Sequence, residues 1–138
     1  MKDKPVKAWI ELAHRDLIAA KELINNEYLC NIVLFHSQQT IEKCLKALLE
    51  QNNINPPKIH GINKLFSLLP ELIKEKITLN DFEMNLIDDI YIDTRYPSNF
   101  GLLPSGFPSQ EEAREVLEIA DRIFNQTITL TGGFHENR

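Results

Sequence analysis

From Val6 onward the apolar residues of this chain return every three or four positions, and no long segment alternates apolar with polar. That spacing gathers them on one side of a helix turning about 100° per residue, whereas a half-buried strand needs a period of two. A chain patterned this way is confined to all-α architectures. The one short stretch with period-two character, Thr127 to Thr131, lies in a tail where Ile128 and Leu130 could pack back.

The first stripe, Val6, Trp9, Leu12, Ala13, Ala20, Leu23 and Ile24, predicts a long helix opening at Asp3 and Pro5 and ending near Asn25. Asn25-Asn26-Glu27 reads as a turn. A second helix runs from about Tyr28 to about Asn53, where Asn55-Pro56-Pro57 ends it. Leu34, Ile41, Cys44, Leu45 and Leu48 share one of its sides. His36, Gln39, Thr40, Lys43, Lys46 and Ala47 project from the other, so half of this helix is expected to face solvent or a ligand.

Leu65, Phe66 and Leu69 mark a short connecting helix from Ile62, and Pro70 begins another helix-like turn reaching about Lys76. Asn80 with Glu83 reads as a capping box ahead of a helix carrying Phe82, Leu86 and Ile90 to about Asp93. Thr94 to Pro108 holds Pro97, Pro104, Pro108, Gly101 and Gly106, a loop composition. A second capping box, Ser109 with Glu112, opens a last helix whose stripe of Ala113, Val116, Leu117, Ala120, Ile123 and Phe124 ends near Asn125. The expected fold is all-α: an up-and-down antiparallel helical bundle of four long helices plus a short connecting helix. It forms one domain over residues 1–138, with its core at about 5–125 and a tail at 126–138.

Composition narrows the function classes. The chain has 138 residues, 43% hydrophobic, enough for one sizeable core. A formal charge of -5 argues against coating duplex DNA through a broad basic surface, while a local basic pocket is compatible with it. Cys30 and Cys44 form no CxxC pair and read as buried thiols. His14, His36, His60 and His135 lack the i, i+4 spacing of a helical metal site, so neither a metal nor another cofactor is expected. Met1 to Pro5 has no apolar signal stretch, and no segment reaches the roughly 18 apolar residues of a membrane helix. A cytoplasmic protein with no membrane partner is expected.

Three features fit neither plain core nor plain surface. Asp16 falls on the apolar stripe of the first helix, where an unpartnered carboxylate costs several kcal/mol; it calls for a donor, either at the rim of the bundle or on a functional cation such as Arg95. Gln39, Glu42, Lys43 and Lys46 stand at i, i+3, i+4 and i+7. They form either a solvated face with a Glu42–Lys46 ion pair or a cradle for a phosphate-bearing ligand. In Thr94-Arg95-Tyr96-Pro97, Arg95 has a fork of donors suited to phosphate and Tyr96 a ring that can stack on a base; the same residues could instead cap helix carbonyls and seal the bundle end. His60, beside Gly61, reads as a helix-entry hydrogen-bonding residue.

In this order the residues resemble a known family. Ala13-His14-Arg15-Asp16-Leu17, then Gln39-Thr40-Ile41-Glu42-Lys43-Cys44-Leu45-Lys46-Ala47, then Ile59-His60-Gly61-Ile62-Asn63-Lys64-Leu65, and finally Thr94-Arg95-Tyr96-Pro97 look like the signatures of HEPN domains, in an Arg-Tyr-Pro variant. HEPN stands for higher eukaryotes and prokaryotes nucleotide-binding, and the match spans about Trp9 to Phe124. The resemblance implies a homodimer whose Arg motifs meet in one cleft, and pairing with a small nucleotidyltransferase in the manner of toxin-antitoxin systems.

It also implies, for many members, a metal-independent ribonuclease in which an Arg is followed four to six residues later by a His. Here Tyr96, Pro97, Ser98, Asn99, Phe100 and Gly101 follow Arg95, so the motif is incomplete. Arg95 can stabilise phosphorane charge but cannot accept a proton. His60 is the residue that could take over that part if the fold brings it to a phosphate held by Arg95, or Tyr96 could position a hydroxyl nucleophile. The leading expectation is a nucleotide- or RNA-binding module in which Arg95 clamps phosphate, Tyr96 stacks, Gln39, Lys43 and Lys46 line the site, and Asp16 orients Arg95. The alternatives are a ribonuclease with a degenerate motif and a toxin-antitoxin-like protein-interaction component.

Overall fold

The computed structural model describes residues 3–95 and 108–132, the side chains of 3 and 91–95 excepted. Four long helices dominate: α1 (Asp3–Leu23), α2 (Cys30–Gln51), α5 (Asp81–Arg95) and α6 (Gln110–Thr131). Between α2 and α5 lie two short helices, α3 (Ile62–Ser67) and α4 (Glu71–Lys74), and a 3-10 turn (Glu27–Leu29) precedes α2. No strand occurs among the described residues, so the fold is the all-α bundle that the periodicity demands.

The middle of the bundle is α2, which packs against α1, α3, α5 and α6. Leu34, Ile41, Leu45 and Leu48 of α2 meet Ile10, Ala13 and Leu17 of α1, Ile87 of α5 and Ile123 of α6 in one core. Small residues at Ala13, Ala20, Ala47 and Ala120 are fully buried, which lets neighbouring helices approach closely. The stripe in use on α1 is Val6, Ile10, Ala13, Leu17 and Ala20, so Leu12, expected in the core, is exposed. On α5 the buried set is Met84, Ile87 and Ile90, and Phe82 stands 75% exposed on the first turn.

The helix ends follow local chemistry. Asn80 and Glu83 reciprocally bond each other's backbone amides at 2.8 and 3.1 Å, and Ser109 and Glu112 do the same at 3.0 and 2.9 Å. The proline pair was expected to stop α2, yet the helix stops before it. Asn53 adopts a left-handed φ of 64°, and the amides of Asn53 and Ile54 bond back to the carbonyls of Glu50 and Leu49 at 3.0 and 2.9 Å. This is a Schellman ending, with asparagine in place of the usual glycine.

The last helix continues past Asn125 to Thr131 and ends on Gly132 at φ 91°. Thr127 to Thr131 is therefore helical, with Thr127 buried and the Thr129 and Thr131 hydroxyls bonded to carbonyls one turn back. The β-branched alternation there is overridden by packing against the bundle.

Candidate functional site

Two carboxylates organise the polar residues of α2. Asp16, on α1, accepts from His36 Nδ1 at 2.8 Å through one oxygen and from Lys43 Nζ at 2.6 Å through the other. His36 and Lys43 are seven residues apart, two helical turns, so both lie on the side of α2 that faces α1. A carboxylate can only accept, so His36 Nδ1 carries the proton in this pair. Asp16 is 12% exposed and Lys43 20%, which places the cluster at the rim of the α1–α2 seam, reachable by solvent. Thr40 lies on the same seam one turn on, its hydroxyl 3.4 Å from the Ala13 carbonyl of α1 and 2.9 Å from the His36 carbonyl of its own helix.

Glu42 is the deeper of the two, with its side chain 5% exposed. Its Oε2 accepts from Lys46 Nζ and from His60 Nδ1, both at 3.1 Å, and its Oε1 accepts from the amides of Gln38 at 3.3 Å and Gln39 at 3.4 Å. Gln39 also donates to Gln38 at 2.7 Å. Lys46, buried as well, lies 5.3 Å from the centre of the Trp9 ring, a cation–π contact in a poorly hydrated place. The Trp9 indole in turn donates to Glu50 at 3.4 Å.

The Glu42–Lys46 pair at i, i+4 is thus present but buried, and Gln39, Thr40 and Ala47 are buried with it. The expectation that half of α2 faces solvent is corrected here. Periodicity shows which residues share a side of a helix, and α2 has neighbours on nearly every side.

His60 differs from the other members of its cluster because its side chain is half exposed. It sits in extended backbone ahead of α3. Gly61, the N-cap of α3, has no side chain to offer, and Asp88 of α5 does the capping instead, accepting from the Ile62 amide at 2.6 Å and the Asn63 amide at 3.3 Å. The Asn63 side chain adds bonds to Asp88 at 3.0 Å and Asn85 at 2.8 Å. The entry to α3, and with it His60, is fixed from both α2 and α5.

Of the residues singled out in the sequence, Asp16 and Lys43 meet in one cluster, and Gln39, Glu42, Lys46 and His60 in the other. Arg95 is the last residue of α5, but its side chain, like all of Tyr96, lies outside the described residues, and so does the expected Asp16–Arg95 contact. Sequence reasoning missed Gln38 and the role of His36. Both stood at the spacings that matter, Gln38 four residues before Glu42 and His36 seven before Lys43.

The cysteines take no part in the polar clusters. Burial pushes the Cys44 thiol up to about 12, the neighbouring Thr127 side chain acting weakly in the other direction, and burial likewise raises Cys30. Both stay protonated near neutral pH. Among the described residues, no group of three or more His, Cys, Asp or Glu could hold a metal ion, and no helix is long and apolar enough to cross a membrane.

The chain and its fold are similar to known proteins. The chain is 30% identical over 128 residues to the "Putative toxin MJ1304" of Methanocaldococcus jannaschii, covering 87% of this chain and 84% of that protein. It is also 30% identical over 93 residues to the "Putative toxin MJ0142" of the same organism, covering 67% of this chain and 57% of that one. Among solved structures, the archaeal HEPN homologue ST0689 superposes with a TM-score of 0.67 at 27% identity, over 91% of this chain and 97% of its own. TT1696 from Thermus thermophilus gives 0.66 at 25% identity, over 88% and 94%. The HEPN domain family matches residues 6–128, nearly the whole of the bundle, and the chain belongs to that family.

Proposed function

We propose that this HEPN protein is a cytoplasmic, homodimeric module that binds the phosphates of RNA or a nucleotide along α2 and the entry to α3. The observation that carries this reading is the backing of partly exposed donors by fixed carboxylates. Lys43 is held by Asp16, so a cationic donor of an anion site is oriented before any ligand arrives, and the rings of His36 and His60 are fixed by Asp16 and Glu42. Arg95, ending α5, supplies the bidentate phosphate contact in this reading, and Tyr96 the stacking surface. The acidic total charge is no obstacle, because the ligand meets the local field.

Titrating ATP and a short single-stranded RNA at two salt concentrations tests the proposal. Saturable binding that weakens with salt is expected, and Lys43→Ala should lower the slope of log affinity against log salt by about 0.7 for a single strand. Unchanged affinity in both Lys43→Ala and Arg95→Ala rejects the site.

A second reading is favoured by the printed names of the two Methanocaldococcus relatives, both called toxins. In it the chain is the toxin-like half of a pair, and its partner is a small nucleotidyltransferase. Co-expression with a nucleotidyltransferase encoded beside it, followed by sedimentation, decides between a stable complex and a homodimer that ignores that partner.

A further inference from the structure

We propose that the Asp16 rim is a pH-gated phosphate subsite with His36 as the gate: protonation of its ring adds a second cation beside Lys43. The inference rests on the phosphate-binding reading and deepens it with a means of regulation. It starts from how charge is placed at the α1–α2 seam. Asp16 spends one oxygen on His36 Nδ1 at 2.8 Å and the other on Lys43 Nζ at 2.6 Å. While the ring is neutral, the carboxylate and the ammonium cancel, so the cluster has no net charge with which to attract an anion. Protonation of His36 leaves it with one positive charge.

The bond to Asp16 decides what the rest of the ring offers. A carboxylate can only accept, so the proton of the neutral ring sits on Nδ1 and a lone pair on Nε2. Among the described residues nothing bonds Nε2, and the side chain is 26% exposed, so solutes reach the ring. Toward an anionic oxygen that lone pair is repulsive. Once Nε2 is protonated it donates instead, while Nδ1 keeps its bond to Asp16 and the carboxylate steadies the imidazolium. The ring changes from acceptor to donor without turning over. Lys43 has spent one of its three ammonium hydrogens on Asp16, and its side chain is partly exposed. Two cationic donors flanking one carboxylate then become available to one oxyanion.

The surroundings of the ring leave the gate to these three residues. Among the described residues, Asp16 of α1 and Lys43 of α2 are the charged groups that join His36. Arg15, next to Asp16, is exposed and stands about 100° round α1 from it. The helices α3, α5 and α6 and the 3-10 turn also pack on α2, and none of their described side chains forms a hydrogen bond or ion pair with the ring. Phe35 lies edge-on at 5.2 Å and adds no charge. The ligand class that fits is an internal phosphodiester, which keeps a single negative charge across the range in which an imidazole titrates. A terminal phosphate changes its own charge in that range.

The test measures binding of a short oligouridylate with hydroxyl ends to the full chain at about pH 5.5 and about pH 8, each at two salt concentrations. Affinity should rise about tenfold at the lower pH, and the slope of log affinity against log salt should steepen by about 0.7, one further counterion released. His36→Asn, whose amide can still donate to Asp16 but does not titrate, should lose both changes with its melting temperature nearly that of the wild type. Should that variant fold poorly, NMR of the His36 ring in the wild type decides. Its titration should move to higher pH when oligouridylate is added, because a ligand that prefers one protonation state stabilises it. Binding of equal strength at both pH values, an equal rise in His36→Asn, or a ring titration that oligouridylate leaves in place overturns the gate while phosphate binding stands. Absence of binding at both pH values overturns both.

Discussion

The Asp16 and Glu42 clusters contain the same kinds of group, one carboxylate, one lysine and one histidine, yet they sit in different surroundings. Asp16 joins two helices at a rim where water reaches Lys43, and each of its oxygens has one donor. Glu42 lies under the surface, gathers four donors, and keeps its lysine out of solvent against Trp9. Charge content alone therefore does not say what a polar cluster does; the depth of the carboxylate does. A rim cluster can exchange protein donors for water at modest cost, whereas an interior one loses its compensation when a single member goes.

The largest expected effect follows from that asymmetry. Glu42→Ala strands the Lys46 ammonium among apolar neighbours and should destabilise the fold by about 3–5 kcal/mol in urea unfolding. The double change Glu42→Leu with Lys46→Met removes both charges and should recover most of that loss; failure to recover would mean that Gln38, Gln39 and His60 depend on Glu42 more than Lys46 does.

An alkaline transition comes next and concerns the dry side of the same helix. Cys44 stays protonated to about 12 in the folded state, above its ordinary value. The unfolded chain therefore releases this proton first as pH rises. The stabilisation is complete below the ordinary thiol range and is lost as pH climbs from there toward 12, so thermal melts should fall over that window and fall less in Cys44→Ala.

Asp16→Ala should cost about 1.5–3 kcal/mol, less than Glu42→Ala, because Lys43 and His36 can turn to water. That loss should shrink at high salt, whereas the Glu42→Ala loss should barely respond. The smallest effect is that of Lys43→Ala on stability, below about 1 kcal/mol. An equal cost for Asp16→Ala and Glu42→Ala would erase the distinction between rim and interior.

Much of the fold was legible in the sequence because helix signals are local. The capping boxes at Asn80 and Ser109 depend on two residues three apart, and the buried side of α2 at Leu34, Ile41 and Leu45 depends on spacing alone. The end of α6 was equally local: Gly132 is the natural terminator, but the threonines before it drew attention to a strand pattern. Burial of Gln39, Glu42 and Lys46 was not legible, since it comes from α1, α3, α5 and α6 enclosing one helix. Phe82 misled for the converse reason, an apolar residue at helical spacing that no element among the described residues covers. In the candidate site the residue types could be read and their grouping could not. Asp16 called for a donor, but His36 and Lys43 are 20 and 27 residues away.

Asp88 turns α5 into a lever. It grips the amides at the mouth of α3 from a point seven residues, about 10 Å along the helix axis, before Arg95. A force on the far end of α5 reaches the grip along a rigid rod, and the grip passes it to the segment bearing His60. The placement of the segment bearing His60 is therefore tied to the placement of α5 through a single carboxylate.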